Sequence, residues 1–92
     1  MRTLHIINKT GNPLVLCQRV LTEKDGILLI EDGVYLLAEC AGTLTRLSQQ
    51  HPIYALEADV NARGMTTNSI ELASYPRFVT LVAEYDRAIS WH

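Results

Sequence analysis

Apolar residues along this chain come in two rhythms, and the switching between them outlines the fold. Leu4-His5-Ile6-Ile7 is a short β-type run closed by the turn formers Asn8-Lys9-Thr10-Gly11-Asn12. Asn12-Pro13 predicts a helix start, with Asn12 as N-cap and Pro13 at the first helical position, where a missing N–H costs nothing. Leu14, Cys17 and Leu21 fall at i, i+3 and i+7, one face of a helix ending near Thr22–Gly26. Ile27–Ile30 is apolar at every position, the signature of a strand buried on both faces in a parallel sheet. Asp32 is placed to cap a following helix through its carboxylate, with Val34–Cys40 as the body and Ala41-Gly42-Thr43 as the break.

Thr43–His51 is polar, with a helical turn carrying Leu44 and Leu47, and Pro52–Leu56 supplies a third strand. Glu57–Gly64 reads as a short helix, acidic in its first turn, with Arg63 in its last and Gly64 placed to close it in a left-handed conformation. Met65–Asn68 is a loop and Ser69–Leu72 a short strand. Ser74-Tyr75-Pro76 opens the clearest helix, with Phe78, Leu81, Val82 and Tyr85 at i, i+3, i+4 and i+7, and Ala88–His92 can pair as a last strand. Strands alternating with helices through short connections predict one α/β domain over residues 1–92. The expected architecture is a three-layer α/β/α sandwich on a mostly parallel sheet of about five short strands.

Composition adds one constraint. A chain of 92 residues buries only about 60–65% of the surface its unfolded form exposes, yet 48% of these residues are apolar. Some of that apolar surface is expected to face a partner subunit. The net charge of −2 falls entirely in residues 47–92, and no block of Lys or Arg exists to grip a phosphate backbone, so direct nucleic-acid binding is not expected. No apolar run approaches the roughly 20 residues of a membrane helix. Two cysteines are too few for a secreted disulfide framework, and Asn8-Lys9 interrupts the first apolar run before a signal peptide could form. The cytoplasm is therefore the expected location.

Candidate chemistry is sparse. Glycines 11, 26, 33, 42 and 64 are scattered rather than clustered into a phosphate cradle, and Asp32 puts a carboxylate where phosphate would sit. Cys17, Cys40, His5 and His51 lack metal-ligand spacing, so neither a metal nor another cofactor is called for. Glu31 and Asp32 leave a strand in different directions and do not form a shared-proton pair. Cys17 is the one residue to weigh as a nucleophile, against its reading as a small core-facing hydrophobe; Cys40, at a helix end, reads as packing. His5, flanked by Leu4 and Ile6, reads as a hydrogen-bonded core histidine and His51 as solvated. Tyr35 and Trp91 are candidates for a subunit contact, with packing on their own domain the competing reading.

Several segments together resemble the DsrH/TusB family of sulfur-relay subunits. They are Leu4–Lys9, Leu28–Tyr35, Tyr54–Gly64, Tyr75–Val79 and the final Ser90-Trp91, in order and covering nearly the whole chain. The resemblance implies a DsrE/DsrF/DsrH-like fold and a place in a hexamer with two copies each of TusB-, TusC- and TusD-like subunits. Such a complex takes persulfide sulfur from a TusA-like donor and passes it to a TusE/DsrC-like acceptor, towards 2-thiolation of a tRNA wobble uridine. Its principal sulfur-carrying cysteine belongs to the TusD-like subunit, in a loop after a strand, and no cysteine here has that position. The DsrH branch, associated with sulfur oxidation, has a first-helix cysteine that Cys17 matches, although the loop before it is shorter here. Three readings follow: an accessory subunit of a sulfur relay, a persulfide carrier acting through Cys17, or a small ligand-binding module of the doubly wound type. Without partners, homo-oligomerisation through the same apolar surface is expected.

Overall fold

A computed structural model describes residues 1–67 and 69–92. The element order is β1 (Thr3–Ile7), α1 (Asn12–Val20), β2 (Gly26–Leu29), a 3-10 turn (Glu31–Tyr35), α2 (Leu36–Glu39) and α3 (Ala41–Ser48). It continues through β3 (Ile53–Leu56), α4 (Glu57–Ala62), β4 (Glu71–Ala73), α5 (Tyr75–Glu84) and β5 (Arg87–Trp91). All five strands run parallel in the order β4-β3-β2-β1-β5.

That order decides where the helices lie. Right-handed crossovers stepping from β1 to β4 in one direction place α1–α4 on one face, whereas the return from β4 to β5 places α5 on the other. Strand alternation serves both layers. Ile7, Ile27, Leu29, Ile53 and Ala55 pack with Leu14, Cys17, Leu36, Leu44, Leu47 and Val60. Leu4, Ile6 and Leu28 meet Leu81 and Tyr85 of α5. The expected α/β/α sandwich is what forms, with a wholly parallel sheet.

Local chemistry explains most boundaries. Ser74 caps α5, its hydroxyl oxygen accepting from the Arg77 N–H at 3.2 Å. Gly64 closes α4 at φ 63°. At α1, however, the N-cap is Gly11 at φ 87°, and Asn12 lies inside the helix without a side-chain cap. Glycine makes this sharp change of direction without the steric penalty of a Cβ, so no amide cap is needed to set the helix start.

The segment after β2 also departs from expectation. Asp32 caps nothing: the 3-10 turn has Ile30 at its N-cap and no side-chain cap. The Asp32 carboxylate instead accepts from Nε and Nη2 of Arg63 at 3.0 and 2.9 Å. The region expected as one helix divides into the 3-10 turn and the single-turn α2, which stops at Cys40. Gly33 is the cause. A Cβ there would collide with the Ile7 carbonyl oxygen, which also accepts from the Ile30 N–H at 3.0 Å, so β2 must exit pressed against the end of β1. Helix α3 is longer and starts earlier than the turn expected within 43–51. The last strand before α5 is shifted to Glu71–Ala73, and Asn68, the end of the expected loop, lies outside the described residues.

Gly33→Ala is expected to lower stability by about 2–3 kcal/mol in urea unfolding, because backbone would have to move. Gly42→Ala, in α3 with open space around it, should be neutral or stabilising by up to about 1 kcal/mol.

Candidate functional site

The largest concentration of buried polar groups lies where β1, the α1–β2 turn, β3 and β5 converge. Asp25 ends the turn immediately before the apolar strand β2 and is 2% exposed. Its Oδ1 accepts from the Thr3 N–H at 3.0 Å and the Thr22 hydroxyl at 2.9 Å. Its Oδ2 accepts from the Thr22 N–H at 3.1 Å and lies 2.9 Å from Nε2 of His5. Burial on its own would raise this carboxyl, but hydrogen bonds from His5, Thr22 and Thr3 outweigh it and hold the group down at about 2.

The other ring nitrogen settles the tautomer of His5. The Trp91 indole N–H can only donate, and it lies 3.0 Å from Nδ1 of His5. Nδ1 is therefore an acceptor, and the imidazole proton sits on Nε2, where it is donated to Asp25. The indole also stacks over the imidazole, centroids 6.1 Å apart. His51 is buried, not solvated: its Nδ1–H donates to the Asp25 carbonyl oxygen at 3.0 Å. Asp25 thus holds one histidine by its side chain and another by its backbone.

Cys17 lies in α1, fully buried in the same layer. Burial, reinforced by the Asp25 charge, pushes its thiol up to about 12, so it is protonated at neutral pH. His5 cannot act as its base, because Nε2 carries the proton given to Asp25 and the Nδ1 lone pair is taken by Trp91. Cysteine, histidine and carboxylate are the residue types of a catalytic triad, but here the imidazole has both its proton and its lone pair committed to Asp25 and Trp91. What the cluster does chemically is hold four chain segments together.

Of the remaining candidates, only Trp91 belongs to this cluster. Cys40 is half-buried between α2 and α3. Tyr35 is 39% exposed, with the Arg63 guanidinium carbon 5.8 Å from its ring centroid, near the Asp32–Arg63 pair. Trp91 is half-buried and borders a groove of about 570 Å³ whose lining includes Met1, Val20, Arg87 and Ile89. Tyr35 and Trp91 are thus on different elements and are not brought together. Sequence reasoning missed Asp25. The available signal was an acid directly before a strand apolar at every position, where a carboxylate must find donors or remain unpaired and buried.

Residues 10–88 match the protein family described as "DsrH like protein". The chain belongs to the DsrH family. Its relatives include the proteins called Protein TusB of Pectobacterium carotovorum and Salmonella arizonae. The first is 38% identical over 77 residues, covering 79% of this chain and 81% of that protein. The second is 32% identical over 91 residues, covering 95% and 94%. Asp25 and Cys17 of this DsrH-family chain fall inside the matched span, whereas His5 and Trp91 fall outside it.

Because the folded-state carboxyl of Asp25 lies below its ordinary 3.8, the stability it adds is complete above the ordinary range and disappears as pH falls through about 2. Urea unfolding between pH 5 and 2 should show a loss of roughly 2 kcal/mol in the wild type beyond that in Asp25→Asn. At neutral pH, Asp25→Ala should cost about 3–5 kcal/mol, since it strands buried donors.

Proposed function

We propose that this DsrH-family chain is an accessory, non-catalytic subunit of a TusBCD-type sulfur relay, acting in the cytoplasm with TusC- and TusD-like subunits. The complex receives persulfide sulfur from a TusA-like donor and hands it to a TusE-like acceptor, towards 2-thiolation of a tRNA wobble uridine. Kinship with proteins called TusB supports the pathway. One structural observation carries the accessory role: Cys17 is fully buried, and its thiol is pushed up to about 12 and so stays protonated at neutral pH. A persulfide carrier needs an accessible thiolate, so the reading in which Cys17 carries sulfur, as in a DsrH-type sulfur-oxidation subunit, is disfavoured.

The outer surface suits assembly. On α5, Tyr75 is 59% and Val79 70% exposed, with Val82 beside them; on α1, across the sheet, Val15, Leu16 and Val20 are exposed. Apolar helix faces on both outer layers give one small subunit two surfaces for neighbours. Among the described residues no helix is long and apolar enough to cross a membrane.

Two measurements test this. In cells lacking their own copy of such a subunit, both the wild type and Cys17→Ala should restore 2-thiouridine in tRNA; failure of Cys17→Ala alone, with protein levels equal, would overturn the accessory role. Co-expressed with TusC- and TusD-like partners, the chain should co-elute with them in size-exclusion chromatography with light scattering. A chain indifferent to both partners would overturn the assembly.

A further inference from the structure

Strand β5 borders β1 and, among the described residues, no other strand. The Arg87 N–H donates to the Arg2 carbonyl oxygen at 3.4 Å, and the Trp91 carbonyl oxygen accepts from the Asn8 N–H at 3.4 Å. Residues 87, 89 and 91 therefore turn their backbone groups inwards to β1. Those of Ala88 and Ser90 point outwards, because the direction alternates along a parallel strand. Edge strands are ordinarily blunted by a mid-strand charge, a proline or a bulge. Residues 88–91 are Ala-Ile-Ser-Trp, with neither charge nor proline. The opposite edge, β4, is only three residues long.

We propose that β5 is a self-complementary edge that pairs antiparallel with β5 of a second copy of this chain, centred on Ile89. Facing outward groups restrict the register, and only the one centred on Ile89 overlaps all five residues. In that register Ala88 of each copy exchanges both backbone hydrogen bonds with Ser90 of the other. Ile89 meets Ile89 in the close, non-hydrogen-bonded position, and Arg87 comes opposite Trp91 of the second copy, guanidinium against indole. No like charges face each other. Arg87, Ile89 and Trp91 lie on one face beside the groove they help to line, while the small Ala88 and Ser90 occupy the other. A contact through one strand falls below the roughly 1,200 Å² of a stable interface, so the pairing is a concentration-dependent equilibrium. It concerns the isolated chain and does not depend on the relay reading.

Sedimentation velocity of the full chain up to ~0.5 mM should show reversible dimerisation, a range suited to weak complexes. Ile89→Lys and Ile89→Glu each place like charges across the axis and should be monomeric, whereas their equimolar mixture should associate. Ser90→Pro removes an outward N–H without touching the β1 ladder and should weaken dimerisation at least about tenfold, since two hydrogen bonds are lost by symmetry. Circular dichroism checks that each variant folds, and the charged pair suffices if the proline variant does not. A wild type monomeric throughout, charged variants that dimerise like the wild type, or a mixture no better than its components would each overturn the proposal.

Discussion

The Asp25 carboxylate is the fixed point of this molecule. Parallel strands have no hairpin to set their register, so the start of β1 and the start of β2 need a tie of their own. Asp25 provides it, accepting from Thr3 on one strand and from Thr22 in the turn leading to the other. Through His5 the tie extends to Trp91 on β5, and through its carbonyl oxygen to His51 at the mouth of β3. The contrast with the Arg63–Asp32 pair is instructive. That pair has similar distances, but Asp32 is 65% exposed in its side chain, and ion pairs in water contribute about 0–1 kcal/mol. In the sheltered cluster the bonds to the Asp25 carboxylate cannot be replaced by solvent, and losing one leaves its partner stranded.

This arrangement also limits the chemistry open to these side chains. Residues that could have formed a nucleophilic site are used up as structure: the imidazole between donor and acceptor, the thiol inside the helical layer. The apolar residues that a small body cannot enclose are displayed on α1 and α5, in opposite layers of the sandwich.

Much of the fold was legible in local chemistry. The unbroken apolar run of β2, the helical spacing from Phe78 to Tyr85, the Ser74 cap and the closing Gly64 each carry their structural reason in a few neighbouring residues. The features that escaped all depend on distant partners. Asp32 has the composition of a cap, yet Arg63, thirty-one positions away, takes its carboxylate. His51 looks like a loop residue until β2 and β3 lie side by side and bring it to the Asp25 backbone. Asn12 lost its expected role to Gly11, because backbone conformation rather than a side-chain bond begins α1. The cluster around His5 joins residues 3, 5, 22, 25, 51 and 91, a combination that no sequence window contains.

The pairing of β1 with β5 has a consequence for how the chain is made. Thr3 sits against Arg87 and Ile7 against Trp91, so the first strand of the fold is completed by the last. Throughout translation β1 has a bare edge on that side, and His5 has no indole to fix its ring. Contacts spanning so much of the chain form late and slowly. Without residues 75–91 the edge of β1 is unpaired and the face of the sheet formed by Leu4, Ile6 and Leu28 is uncovered, so α5 and β5 complete the domain together. Closure of this domain thus requires residues 87–91 to be free to reach back to residues 3–7.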